Sequence, residues 1–246
     1  MTTALNVSFA PLETERFGIA TAKADVDSPD DLCGLLSFCS DHRIQFLIVH
    51  CPATAGGTVR ALEDDGFRLM DTRLTFEADL RHRAVTPRES TIRPLRAGEE
   101  SALEAIARDA FAGYPGHFHA DPRLDRKACD EVYVSWARRC RDRSVADEVL
   151  VAPVEGRLAG FAALRLADPA RGELVLGAVL SAFRGRGLYS EMTLAGMEWA
   201  RARRAQHFTA VTHLTNLPAQ RSWIHAGMLP VASSHTFHRW FEAHPS

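Results

Sequence analysis

The spacing of apolar and polar positions changes period many times along this chain, and the changes mark its elements. Residues 17–22 read as a strand and lead to a helix over 29–42. Residues 45–50 form a short apolar run, the mark of a buried strand. A helix over 55–65 is ended by Gly66, with Gly56-Gly57 read as a turn, and 67–80 alternate as a long strand. The polar stretch 81–90 then interrupts the pattern and places a domain boundary. It divides a small α/β domain over 1–88 from a second domain over 89–246. In the second domain 91–95 read as a strand. Residues 99–111 follow as a helix with apolar positions at 103, 106, 107, 110 and 111. A loop leads to a helix over 126–141. Strands 149–153 and 158–165 flank Glu155-Gly156-Arg157, a hairpin signal. A buried apolar run over 174–180, a glycine-rich turn and a long helix from Leu188 come next. Strand 207–214, helix 217–226 and a terminal strand over 231–240 complete the chain. There is no internal repeat and no low-complexity tract.

The most telling chemistry lies where the 174–180 strand passes through Arg184-Gly185-Arg186-Gly187-Leu188-Tyr189 into a helix. Glycines let a backbone approach a pyrophosphate, a helix N-terminus presents free N–H groups, and arginines add charged donors. The turn lacks G-x-G-x-x-G and no Gly-Lys-Ser/Thr follows, which excludes the Rossmann and Walker fingerprints. It resembles the Q/R-x-x-G-x-G/A motif of the GNAT superfamily of acyl-CoA N-acyltransferases. Arg184 and Gly187 fill the pattern, and Tyr189 stands where Gly or Ala is usual. A second stretch, Asn216 to Met228, resembles that superfamily's N-x-x-A-x-x-x-Y-x-x-x-G-F, with Asn216, Ala219 and Gly227 in place and Trp223 in the Tyr position.

The resemblance implies an α/β (mixed α+β) fold with a central, mostly antiparallel mixed sheet flanked by helices, preceded by the small N-terminal domain. It implies acetyl-CoA as cosubstrate, held by Arg184, Gly185, Arg186, Gly187, Leu188, Tyr189 and Trp223, with Asn216 near the pantetheine arm. The backbone N–H groups of Ala178 and Val179 would polarise the thioester. Trp223 carries the sharpest departure, because the family's Tyr is thought to protonate the leaving thiolate and an indole cannot. More narrowly, Pro11 to Gly18, and Glu63 to Leu69 followed by Phe76 to Leu80, resemble pieces of the dTDP-fucosamine acetyltransferases, the WecD-like group, which points to a nucleotide-activated amino sugar as acceptor.

Between the first two helices of the second domain lie Tyr114, His117, His119 and Asp121. In the superfamily this region covers the acceptor, so these four are the candidate substrate contacts. His117 and His119 are candidate bases, since imidazole titrates near ~6.5, and Glu173 is the other. His-x-His lacks nearby further ligands, and no metal is expected.

Composition narrows the picture only slightly. A net charge of −2 in 246 residues offers no general attraction to nucleic acid or membrane. No apolar run approaches the ~20 residues of a transmembrane helix. Five cysteines without C-x-x-C spacing read as reduced core residues of a cytoplasmic protein. The partners expected are acyl-CoA and a small amine, with a homodimer as one assembly. Two rivals stay open: a GNAT acting on an antibiotic, an amino acid or a protein N-terminus, and a GNAT-fold module that holds acyl-CoA without catalysis.

Overall fold

A computed structural model describes residues 6–81 and 91–242. The chain divides into two units. The first is Met1–Leu74 with Pro115–Cys129 and Ala232–Ser246, and the second is Thr75–Tyr114 with Asp130–Val231. The boundary read at 88 falls on residues 82–90, outside the described residues.

The first unit begins with strand β1 (Asn6–Phe9) and helix α1 (Pro11–Phe17). Then come β2 (Thr21–Asp25), α2 (Asp31–Asp41), β3 (Phe46–Pro52), α3 (Gly56–Asp64) and the start of β4 (Arg68–Asp79). β1 pairs antiparallel with β2, and β2 pairs parallel with β3. The part of the last strand, β10 (Leu229–Trp240), that belongs to this unit runs antiparallel to β3, with His238 opposite Ile48. β3 is buried along nearly its whole length, as its unbroken apolar run requires. α2 buries Leu32, Leu35 and Cys39 against it, the i, i+3, i+7 stripe of an amphipathic helix.

Three readings are corrected here. Residues 17–22 are not one strand, because 11–17 form α1, opened by Pro11 and closed by Gly18 at φ 67°. Its inward residue is Glu13, paired with Lys23 at 2.8 Å, so no apolar stripe announces it. Gly56-Gly57 is the first turn of α3 and not a free turn. Cys33 is exposed, although the other four cysteines are buried as expected.

The second unit holds β5 (Arg93–Pro94), α4 (Glu100–Phe111), α6 (from residue 130 of Arg126–Arg141), β6 (Glu148–Val154), β7 (Arg157–Asp168) and β8 (Arg171–Val179). The helix α5 (His117–Ala120) belongs to the first unit and interrupts what the sequence reads as a loop. After β8 come α7 (Leu188–Ala202), β9 (His207–His213) and α8 (Leu217–His225). β5, β6, β7 and β8 are antiparallel in order, and β8 and β9 are parallel, the mixed sheet expected. Glu155 and Gly156, at φ 52° and 77°, close the β6–β7 hairpin as its tight turn.

One irregularity shapes this sheet. Leu174 stands opposite Leu164 and Leu176 opposite Ala163, so Val175 is an extra residue, a β-bulge. The parallel ladder between β8 and β9 runs only from Arg171 opposite His207 to Leu174 opposite Ala210. The two strands therefore part company at the bulge, since a bulge bends its strand and sharpens the local twist. Beyond it, residues 176–179 of β8 have no partner on the β9 side. Leu180 donates its N–H to Ala159 at 2.8 Å on the β7 side. By strand alternation Val179 and Gly177 turn their N–H groups the other way, into the gap.

Candidate functional site

A cavity of about 780 Å³ opens at that gap. One wall is the end of β8, with Gly177, Ala178 and Val179. Its mouth is the turn before α7. A short 3-10 turn, Ser181–Phe183, buries Phe183 and ties Ser181 to Asp109 of α4, whose carboxylate accepts from the Ser181 N–H at 2.6 Å and hydroxyl at 3.0 Å. Gly185 and Gly187 take φ of 77° and 81°, and Gly187 is the N-cap of α7. A side chain there would strain the backbone by about 1 kcal/mol or more. The first helical bond of α7 runs from Glu191 N–H to Gly187 O at 3.1 Å. The N–H groups of Leu188, Tyr189 and Ser190 come before it, the orphan donors of a helix start. All three residues line the cavity.

The facing wall comes from α4 and α8. Asn216 N-caps α8, its Oδ1 accepting from Ala219 N–H at 3.4 Å. Its Nδ2 donates to the Tyr114 hydroxyl at 2.9 Å and to Thr212 Oγ1 at 2.8 Å. Tyr114 also packs edge-on to Phe111 and Tyr133 and against His213. Asn216 thus fixes a helix end and a phenol at once, which the sequence did not foresee.

Charge in the cavity has one sign. Among the described residues that line it are two arginines, Arg184 and Arg221, and no carboxylate joins them. Arg221 lies one turn from His225 on α8, and both face the cavity. Sequence reasoning missed them, along with Phe183 and Pro218. The i, i+4 spacing of Arg221 and His225 was the available signal, but it is also that of any solvated helix face.

The expected residues are not all gathered here. Ala178, Val179, Arg184, Gly185, Gly187, Leu188, Tyr189, Asn216 and Tyr114 line the cavity. Arg186 is instead directed to Glu155 at 3.3 Å and stacks over Phe183. Glu173 is held by Arg165 at 2.7 Å and does not reach the cavity wall. Trp223 is 2% exposed and lies in the core, against Phe76 at 5.4 Å and Tyr189 at 6.3 Å between ring centroids. Burial raises the Tyr189 phenol well above its usual range, the Tyr114 hydroxyl adds to this, and the Trp223 indole partly offsets it.

His117, His119 and Asp121 belong to the first unit. There a chain of polar groups runs from the buried Asp121 and His238 to the half-buried His117. His238 Nδ1 meets Asp121 Oδ2 at 2.9 Å, and His238 Nε2 meets His117 Nδ1 at 2.8 Å. Trp240 Nε1 donates to the same Asp121 oxygen at 2.8 Å. Burial disfavours the Asp121 charge, but the bonds from His238, Trp240 and the Arg123 N–H outweigh it and hold the carboxyl at about 2. His117 was expected to titrate near ~6.5. Burial, with the nearby His238, His50, Lys23 and Arg73, instead drives it well below. His50, bonded to Thr236, is lowered to about 3, first by burial and then by Arg73 and Lys23.

These groups make the first unit sensitive to acid. An imidazole whose folded pKa lies below its unfolded value contributes stability that is whole above ~6.5 and is lost as pH falls toward the folded value. Asp121 adds in the same direction below about 4. Urea unfolding should therefore show lower stability at pH 5 than at pH 7.5. The expected loss is roughly 1.4 kcal/mol per pH unit for each imidazole kept neutral, and His50→Gln should shrink the difference. Equal stability at both pH values would mean that these rings are solvated.

Comparison with known proteins places this geometry. Residues 103–228 match the Acetyltransferase (GNAT) family. The spore coat polysaccharide biosynthesis protein SpsD of Bacillus subtilis (strain 168) is 27% identical over 158 residues, 63% of this chain. The chain spans about half of that relative's length, 52%. Among solved structures, a GCN5-related N-acetyltransferase from Sphaerobacter thermophilus aligns over 95% of this chain and 76% of its own, with a TM-score of 0.64 at 16% identity. A tandem GNAT protein from the clavulanic acid biosynthesis pathway aligns over 93% and 77%, with a TM-score of 0.60 at 18% identity.

Proposed function

We propose that this chain, which belongs to the GNAT acetyltransferase family, is an acyl-CoA-dependent N-acetyltransferase whose acceptor is the amine of a small, nucleotide-activated amino sugar. The observation that carries the donor half is the cavity. It joins two arginines, no carboxylate among the described residues that line it, and the N–H groups at the start of a 15-residue helix. That combination suits a ligand with several phosphates. In this reading Arg184, Gly185, Gly187 and Leu188 hold the pyrophosphate. The Val179 N–H, directed into the gap, polarises the thioester carbonyl. The amine attacks that carbon and forms the C–N bond, the C–S bond breaks, CoA leaves as its thiolate and the amine's proton passes to solvent; the site contributes mainly by holding the two reactants together.

The acceptor half rests on the similarity to SpsD, whose name places it in polysaccharide biosynthesis, and on the N-terminal resemblance. A second reading, an acyl-CoA-holding module without turnover, is favoured by one observation. Trp223 is buried in the core and carries no transferable proton at the position usually held by Tyr. A thiol-release assay separates the two. Acetyl-CoA is offered with a panel of amines that includes dTDP-linked amino sugars, aminoglycosides and amino acids. Turnover with the nucleotide sugars alone supports the proposal. Turnover with another amine class replaces the acceptor, and binding of acetyl-CoA without thiol release from any amine supports the module.

A further inference from the structure

We infer that Tyr189 limits the acyl group this protein carries to about the size of acetyl, by reaching from the start of α7 to lay its ring over Gly177 of β8. The inference deepens the proposed function and rests on its assignment of the donor. Gly177 is on β8, paired with Ala162 of β7 but beyond the end of the β8–β9 ladder, two residues farther from the turn than Val179. Both Gly177 and Tyr189 line the cavity. A Cβ at 177 would stand 2.9 Å from Tyr189 Cε2 and 3.2 Å from its hydroxyl oxygen, so the ring occupies the space a side chain at 177 would need. The ring has firm backing. Trp223 is behind it at 6.3 Å and is itself packed on Phe76. An acyl chain that starts at the Val179 N–H and points away from the phosphates meets this ring. A methyl group is short enough to stop before it, while a chain of four or six carbons must displace it. The phenol is half-buried and its pKa is raised above the usual range, so it acts as a wall and not as a charge.

The test is calorimetric binding of acetyl-CoA, butyryl-CoA and hexanoyl-CoA to the full chain and three variants. The parent should bind acetyl-CoA at least ~10-fold more tightly than hexanoyl-CoA. Tyr189→Ala should close or reverse that ratio by about 10- to 100-fold, the range a hydrophobic pocket gains or loses with chain length. Tyr189→Phe, which keeps the ring, should hold the parent ratio. Tyr189→Leu should shift it part of the way, and serves if the alanine variant does not fold. A parent that binds all three equally, or folded Ala and Leu variants that keep the parent ratio, overturns the inference while leaving the CoA assignment intact. A parent that binds none of them overturns the donor assignment and this inference with it.

Discussion

Arg184→Glu should weaken acetyl-CoA binding by about 10²- to 10³-fold. Arg184 stands at the mouth of the cavity, its Nη2 bonded to Ala110 O at 3.2 Å. That contact takes up one donor of five and holds the guanidinium in place without neutralising it. Glutamate would face the ligand phosphates with like charge, beside helix N–H groups that favour anions. Loss of one partner from a desolvated charge pair typically costs ~2–5 kcal/mol, and repulsion adds to this. Arg221→Glu should act in the same direction from α8. Arg186→Glu should do less, because Arg186 is directed to Glu155 and lies outside the lining. The order Arg184, Arg221, Arg186 is what calorimetry should return. Equal affinity in the Arg184 variant would show that the phosphates bind elsewhere.

Trp223→Ala should destabilise the second unit by about 3–5 kcal/mol, the usual cost of removing a large aromatic from a core. The ring is 2% exposed between Phe76 and Tyr189. Trp223→Phe should cost far less and keep thiol release within a few-fold of the parent, because no proton transfer is lost. Chemical denaturation reads the first effect and the thiol assay the second. A folded Phe variant slowed by more than ~10³-fold would place the indole in the chemistry, since general acid catalysis accounts for ~10²–10⁴. The two substitutions together separate packing from reaction at the position where this chain departs from its family.

How much of this was legible depends on where the information lies. α4, α6, α7 and the β6–β7 hairpin announce themselves because their own side chains form stripes or their own residues form the turn. α1 does not, because Glu13 takes the inward place that an apolar residue would mark. α5 is four residues long, too short for a period to appear. At the site, the glycine turn and Asn216 were visible because each acts through its local backbone. The cavity itself comes from two strands that stop pairing, a property of neither strand's composition. The first unit's polar chain was invisible for a plainer reason: His117 and Asp121 are 121 and 117 residues from His238.

The bulge at Val175 has a consequence for how this protein can change. Leu174 and Leu176 pair with adjacent residues of β7, so the segment before Val175 and the segment after it obey different registers. Side-chain direction alternates strictly along a strand. Inserting or deleting one residue between 174 and 176 would exchange the face that carries Leu176 and Ala178 with the face that carries Gly177, against Tyr189, and Val179. Substitutions along β8 can therefore be tolerated or refused one at a time, each by its own volume. A change in the count of residues cannot be local, and variants of this segment should keep its length even where they keep little of its sequence.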